Sequence, residues 1–118
     1  VVHALDPDTG TLVWQTRLGE GSALGGIHWG MAVAGQRLLV PVADPERPGR
    51  RARPGLHALD VASGAVLWSH GAERGCAFRW QAALDAANPW PDCPFAYGYS
   101  AAPMSANDVV LVGSLDGY

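Results

Sequence analysis

The 118-residue chain has the length of a single domain. Apolar residues make up 48% of it, which is enough for a core and argues against disorder, and the formal net charge of −3 argues against a nucleic-acid partner. The longest uncharged run, 21–36, is too short and too rich in glycine for a membrane-spanning helix, while 15 glycines and 9 prolines are typical of a turn-rich, all-β chain.

A stretch of twelve residues occurs twice, first at 3–14 and again 54 positions later at 57–68. His, Ala, Leu, Asp, Gly and Trp stand at identical places in both copies. Each copy has a short strand, a turn that ends in glycine and a second strand that ends in tryptophan, which predicts a β-hairpin. A tryptophan that recurs in each unit is expected to lock one unit to the next. The residues predicted to be structural in this way are Ala4, Gly10, Trp14, Ala58, Gly64 and Trp68.

The strands that follow in chain order predict a repeat architecture. The first hairpin covers 1–18, and a glycine-rich connection follows it. Four further strands are predicted at 27–34, 37–43, 55–61 and 65–70. Together they make 27–71 a complete four-stranded antiparallel unit, with Pro41 either weakening the ladder or marking a bulge.

The last third of the chain begins another unit after a long insertion at 73–97. Strands predicted at 99–105 and 109–115 match 27–34 and 37–43, the second at an offset of 72, so that 98–118 forms half a unit. Two, four and then two strands predict an all-β fragment of a β-propeller, with one complete blade between two half blades in a single domain. Because each blade buries its faces against neighbours, we expect a piece of a longer protein that does not fold stably alone.

The two cysteines, Cys76 and Cys93, flank most of the insertion. Either they form a disulfide that holds this segment in an oxidising compartment, or they are two free buried thiols. The disulfide is the favoured interpretation because the segment between them is otherwise poorly held. It accords with a periplasmic or secreted protein.

The repeated pattern Ala-Leu-Asp-x-x-Thr/Ser-Gly-x-x-x-Trp, at 4–14 and 58–68, resembles the tryptophan-docking motif of the quinoprotein β-propellers, whose members bind pyrroloquinoline quinone (PQQ). Non-catalytic relatives that assemble outer-membrane proteins carry this motif too. Gly-Gly-Ile-His-Trp-Gly, at 25–30, resembles a segment of PQQ-dependent alcohol dehydrogenases in which the tryptophan forms the floor under the quinone. The resemblance implies that Trp29 contacts PQQ, with His28 and Gly30 beside it; the alternatives are a packing tryptophan and a solvated histidine.

The same resemblance implies a metal ligand and a general base. The strand at 37–43 ends at Asp44-Pro45, where those enzymes have a calcium-ligating Asn before proline. A carboxylate suits Ca²⁺, although Asp44 is equally compatible with an ordinary turn. The base of those enzymes is an Asp in the connection after the second Trp motif, which makes Asp92 the candidate here in preference to Glu73 and Asp85.

The function implied is a PQQ-dependent alcohol dehydrogenase. Over most of the chain the sequence resembles the enzymes that act on polyvinyl alcohol. Secondary alcohols of the polymer would be the substrate and a cytochrome c the electron acceptor, with haem c on another part of the chain or on a partner. A basic cluster is either its docking site or a solvated loop: Arg47, Arg50, Arg51 and Arg53. The alternative function is a non-catalytic propeller that serves as a scaffold or assembly factor.

Overall fold

Eight short strands form three antiparallel sheets in the computed structural model, which describes residues 1–21, 26–44, 53–72 and 98–114. In chain order the strands are β1 (Val2–Leu5), β2 (Leu12–Thr16), β3 (Ala32–Ala34), β4 (Arg37–Val42), β5 (Gly55–Asp60), β6 (Val66–Gly71), β7 (Met104–Ala106) and β8 (Val109–Leu111). β1 and β2 form the first hairpin, β3 to β6 the central sheet in sequential order, and β7 and β8 the last hairpin. This arrangement confirms the predicted fold class, a partial propeller.

Three predicted strands are shorter than expected. The strand predicted at 27–34 begins only at Ala32, because Gly30 has a φ of +117°, outside the extended conformation. In place of the strand predicted at 99–105, the structure has the three-residue strand β7, which begins only at Met104. The strand predicted at 109–115 ends at Leu111. An isolated bridge between Tyr99 and Ser114 continues the last hairpin beyond its regular pairs.

The repeated sequence folds into the same turn twice. Asp6 Oδ1 accepts hydrogen bonds from the backbone N–H and the hydroxyl of Thr9, both at 2.8 Å, and Asp60 does the same for Ser63 at 2.8 and 2.7 Å. These hydrogen bonds hold the pKa of each carboxyl below its ordinary value. The turn ends at Gly10 or Gly64, whose φ angles of +70° and +71° favour glycine.

Trp14 joins the first hairpin to the central sheet. Its indole N–H donates to the carbonyl oxygen of Val61 at 3.0 Å, and its ring lies directly over Gly64, where any Cβ would overlap it. The hydroxyl of Thr16 donates to the carbonyl oxygen of Gly64 at 2.6 Å. The tryptophan of one repeat therefore packs on the turn of the next repeat.

A small apolar core lies beside this joint, between the first hairpin and one face of the central sheet. Its buried members are Val2, Leu18, Val40, Val42 and Leu59, with Trp14, Ile27 and Leu38 packed against them. Side chains two apart on a strand share a face, so β4 presents alternate residues to this core, and β5 adds Leu59. Fully burying such an aliphatic side chain contributes about 1.5–3 kcal/mol, so this core adds to the Trp14 joint in holding the first hairpin on the sheet.

The two glycines offer a matched test of the tryptophan joint. Gly64→Ala should lower the free energy of unfolding by about 1–3 kcal/mol more than Gly10→Ala, because both pay for a positive φ but only the former forces Trp14 away. Urea unfolding of dilute protein measures the difference. Equal losses for the two variants would show that Trp14 contributes nothing through Gly64.

Candidate functional site

The predicted site residues lie at one end of the central sheet. Because consecutive strands are antiparallel, the segment that enters β3, the end of β4 and the start of β5 share this end, while the short β3–β4 and β5–β6 turns lie at the other. Residues 26–31, 43–44 and 53–54 occupy it, and we call it the connection end. A bridge between Gly26 and Ala43 holds two of these segments together.

The segment that carries Trp29 is pushed out of the sheet. Between the Ala32–Leu39 pair and the Gly26–Ala43 bridge, the five residues 27–31 face only three residues, 40–42. Ala43 directs its backbone groups toward this segment, and so by alternation does Pro41, which has no N–H to donate. The missing donor and the two surplus residues explain why the ladder is interrupted here and why 27–31 protrudes.

Trp29 presents an open aromatic face. Its side chain is 72% exposed, which is unusual for so large an apolar group. Gly26 and Gly30 flank it with φ angles of +135° and +117°, values that side-chain-bearing residues rarely adopt. His28, also exposed, has its Nε2 3.9 Å from where a Cβ of Gly26 would stand. A flat, exposed ring between glycines fits a planar ligand such as PQQ, although PQQ binding by these residues stays a prediction.

Asp44 is buried and ties two connections together. Its Oδ2 accepts hydrogen bonds from the backbone N–H groups of Glu20, at 3.4 Å, and Arg53, at 3.1 Å. A Cβ on Gly19 would stand 3.0 Å from the same oxygen, so any other residue there would make the Asp44 side chain shift. The carboxylate thus anchors the segment after β2 to the segment before β5.

The contacts of Asp44 are those of a structural carboxylate. Two backbone N–H donors face its Oδ2 and satisfy that oxygen without a cation. Within the ranges that the structure describes, no three His, Cys, Asp or Glu side chains are grouped closely enough to hold a metal. Asp44 as a calcium ligand stays a prediction without support from these contacts.

His57 is a buried group that the sequence patterns did not single out. Its Nδ1 lies 2.8 Å from the hydroxyl of Ser69 on β6, and its Nε2 is buried without a hydrogen-bond partner. Burial lowers the pKa of His57 below its ordinary value; the backbone of Arg53 opposes this shift by raising the pKa, and the positive charge of Arg53 adds a smaller lowering. The only sequence signal was its recurrence: the repeat places His3 at the same offset, but His3 is exposed.

Several predicted residues lie outside the described ranges. Among them are the proposed base and the predicted disulfide: Asp92, Cys76 and Cys93. Three arginines of the basic cluster lie outside as well: Arg47, Arg50 and Arg51. Arg53, the remaining member, is described, and its backbone binds Asp44.

Comparison with known proteins places this chain in a family. The model of the family described as outer membrane protein assembly factor BamB, a PQQ-type repeat family, matches residues 1–117. The chain belongs to the PQQ-type β-propeller family. The resemblance predicted from the repeated motif is therefore confirmed.

Two curated relatives are polyvinylalcohol dehydrogenases. The protein from Pseudomonas sp. is 34% identical over 119 residues, and the protein from Sphingopyxis sp. (strain 113P3) is 32% identical over 120 residues. These alignments cover 99% and 100% of this chain, and the chain spans 17% of the length of each relative. No solved structure matches it significantly. In the described part of this PQQ-type chain, no helix is long and apolar enough to cross a membrane.

His57 makes a pH-dependent contribution to the stability of the propeller segment. Because its folded pKa is lowered, the unfolded chain binds the proton more readily, so the penalty is absent well above the unfolded pKa of about 6.5 and grows as the pH falls below it. His57→Gln should therefore flatten the fall in the free energy of unfolding from about pH 7 to 5.

His3→Gln is the matched control, since His3 has the same place in the repeat but is exposed. Urea unfolding at a series of pH values measures both variants. A His57→Gln profile parallel to that of the wild type would contradict this assignment.

Asp44 is expected to act through its backbone contacts rather than through a metal. Asp44→Ala should cost about 1–3 kcal/mol of unfolding free energy, and Asp44→Asn less, because the amide keeps an acceptor oxygen. Thermal unfolding in Ca²⁺ and in chelator measures both effects. A stabilisation by Ca²⁺ that is present in the wild type and lost in Asp44→Asn would instead identify a calcium ligand.

Proposed function

We propose that the chain forms part of a PQQ-dependent alcohol dehydrogenase, with Trp29 as the platform on which the quinone ring stacks. The observation that carries the proposal is the exposed Trp29 face, flanked by Gly26 and Gly30 on a segment that leaves the ladder opposite Pro41. The names of the two relatives, both dehydrogenases, support it.

Each residue at the connection end would have a separate task. Trp29 would bind the ring through stacking and apolar contact, which also excludes water from one of its faces. Gly26 and Gly30 would leave room for a ligand to approach the backbone. His28, exposed beside them, would line the rim. The quinone, when bound, supplies an acceptor for the hydride and electrons of the alcohol, chemistry that no side chain offers.

The proposal also covers the substrate, the electron acceptor, the general base and the location. Secondary alcohols of polyvinyl alcohol would be the substrate, in line with the names of the relatives, and a cytochrome c would take the electrons. Asp92 would accept the hydroxyl proton. A periplasmic or secreted location and the Cys76–Cys93 disulfide belong to the same proposal. Ca²⁺ at Asp44 belongs to the same proposal, and no step is assigned to the ion because the contacts of Asp44 are those of a structural carboxylate.

Substitution of Trp29 tests the platform. Trp29→Ala should weaken PQQ binding about tenfold or more, because stacking and contact with an aromatic ring contribute roughly 1–3 kcal/mol. Thermal stability should be unchanged, as the side chain is exposed. Equilibrium dialysis of PQQ against each protein measures the affinity.

Trp29→Phe is the control, because it keeps a flat ring at the same place and should retain most of the affinity. In the wild type, reduction of a dye with a secondary alcohol should require added PQQ. Equal PQQ affinity in Trp29→Ala and the wild type would remove the basis for this function.

An assembly scaffold is the second candidate function, because the matching family model carries the name of an assembly factor. A scaffold needs the repeat but no cofactor platform. A protein that binds no PQQ, yet captures unfolded outer-membrane protein with the same affinity in the wild type and Trp29→Ala, would favour it.

A further inference from the structure

The chain returns to the connection end after the insertion, at 98–102, and we call this stretch the return segment. Gly98 is buried there and has a φ of +111°. A Cβ on it would stand 2.9 Å from the Cβ of Pro54 and 3.1 Å from the Cα of Ala43. The first distance is shorter than real Cβ contacts, so only glycine lets the return segment lie this close to the central sheet.

Three further contacts fix the return segment. The backbone N–H of Tyr99 donates to the carbonyl oxygen of Val42 at 3.3 Å, and the ring of Tyr99 stacks on His70 with centroids 6.4 Å apart. The backbone N–H of Ala101 donates to the carbonyl oxygen of Gly113 at 3.4 Å. The return segment is therefore anchored to two strands of the central sheet and to its own hairpin.

The return segment also shows how the equivalent of the Trp29 segment lies when its residues are small. Ala101 stands 72 positions after Trp29, and Gly113 stands 72 positions after Pro41. A Cβ on Gly113 would stand only 3.0 Å from the Cβ of Ala101, so these two backbones meet closely. Trp29 and Pro41 are larger, and Pro41 has no N–H to donate. The Trp29 segment is therefore held less closely by its own sheet than the return segment is.

Ala102 is the residue at which the return segment meets the protruding Trp29 segment. Its Cβ lies 3.7 Å from where a Cβ of Gly30 would stand, which is van der Waals distance, and Gly30 directly follows Trp29 in the chain. The space between the two residues thus takes about one methyl group. Strand β7, which begins two residues after Ala102, contacts β3 in the same way. An anchored segment therefore stands beside a released one.

We propose that Ala102 and Gly98 are positioning residues for Trp29. Gly98 seats the return segment on the sheet, and Ala102 limits how far the Gly30 backbone and the ring beside it can move toward the last hairpin. This inference rests on the proposed function, in which the Trp29 ring is the platform for PQQ. A ring that is held in place before the ligand arrives loses less freedom on binding, which raises the affinity for a planar quinone.

Fluorine NMR of protein labelled with fluorotryptophan tests the positioning of the ring, and equilibrium dialysis tests its effect on PQQ. The Trp29 resonance is identified by its absence from Trp29→Phe. Ala102→Leu overfills the space beside Gly30, and Gly98→Ala pushes the return segment off Pro54. Each variant should shift the Trp29 resonance and weaken PQQ binding about two- to tenfold, the cost of ordering one side chain.

Gly35→Ala and Ala62→Leu are the matched controls. Gly35 also has a positive φ, +61°, but a Cβ there would meet nothing within 4 Å. Ala62 is an exposed alanine in a turn at the opposite end of the central sheet. Both variants should keep the Trp29 resonance and the PQQ affinity of the wild type, and so should Ala102→Ser, which hardly changes the size of the side chain.

The outcomes separate this proposal from the proposed function. A Trp29 resonance that stays in place in Ala102→Leu and Gly98→Ala would overturn the proposal, as would a shifted resonance with unchanged PQQ affinity. If all tryptophan resonances of Gly98→Ala collapse through unfolding, Ala102→Leu decides alone, because Ala102 is exposed. A wild type that binds no PQQ would remove the proposed function, whereas a shifted Trp29 resonance would still show that Ala102 positions the ring.

Discussion

The contact of Trp14 with the Asp60–Gly64 turn is the constraint on which the described structure depends. A four-stranded sheet this small buries little surface within itself, so it needs the first hairpin against its face. The indole ring can lie on the turn only because Gly64 has no side chain, and the turn has its shape only because Asp60 accepts hydrogen bonds from Ser63. Side chain, turn and packing therefore depend on one another within a single repeat.

The residues at the connection end are held in place by the packing of the first hairpin more than by backbone pairing of their own. Once the first hairpin is seated, Gly19 brings the chain close enough for its neighbour's backbone N–H to reach Asp44. Pro41 acts in the opposite sense, since its missing donor releases the segment around Trp29 from the ladder. One anchored and one released connection leave an exposed aromatic ring at a defined end of a stable sheet.

Structure and candidate function are divided between different parts of the repeat. The repeated residues form the turns and the joint between units. Trp29 lies in a connection outside the tryptophan-docking motif, where its substitution changes a surface without weakening the fold. The repeated histidine differs between the two units, since His3 is exposed and His57 is buried.

The sequence by itself determined the fold class, the family, and the two, four and two strands of the sheets, because these follow from local turn chemistry and a periodic pattern that every copy must satisfy. It also singled out Trp29 and Asp44 as candidate site residues. Only the tertiary structure decided that Asp44 faces backbone N–H groups and that His57 is buried. These features depend on contacts between residues 9 to 24 positions apart or on which face of a strand meets a neighbouring unit, and neither leaves a mark on the local pattern.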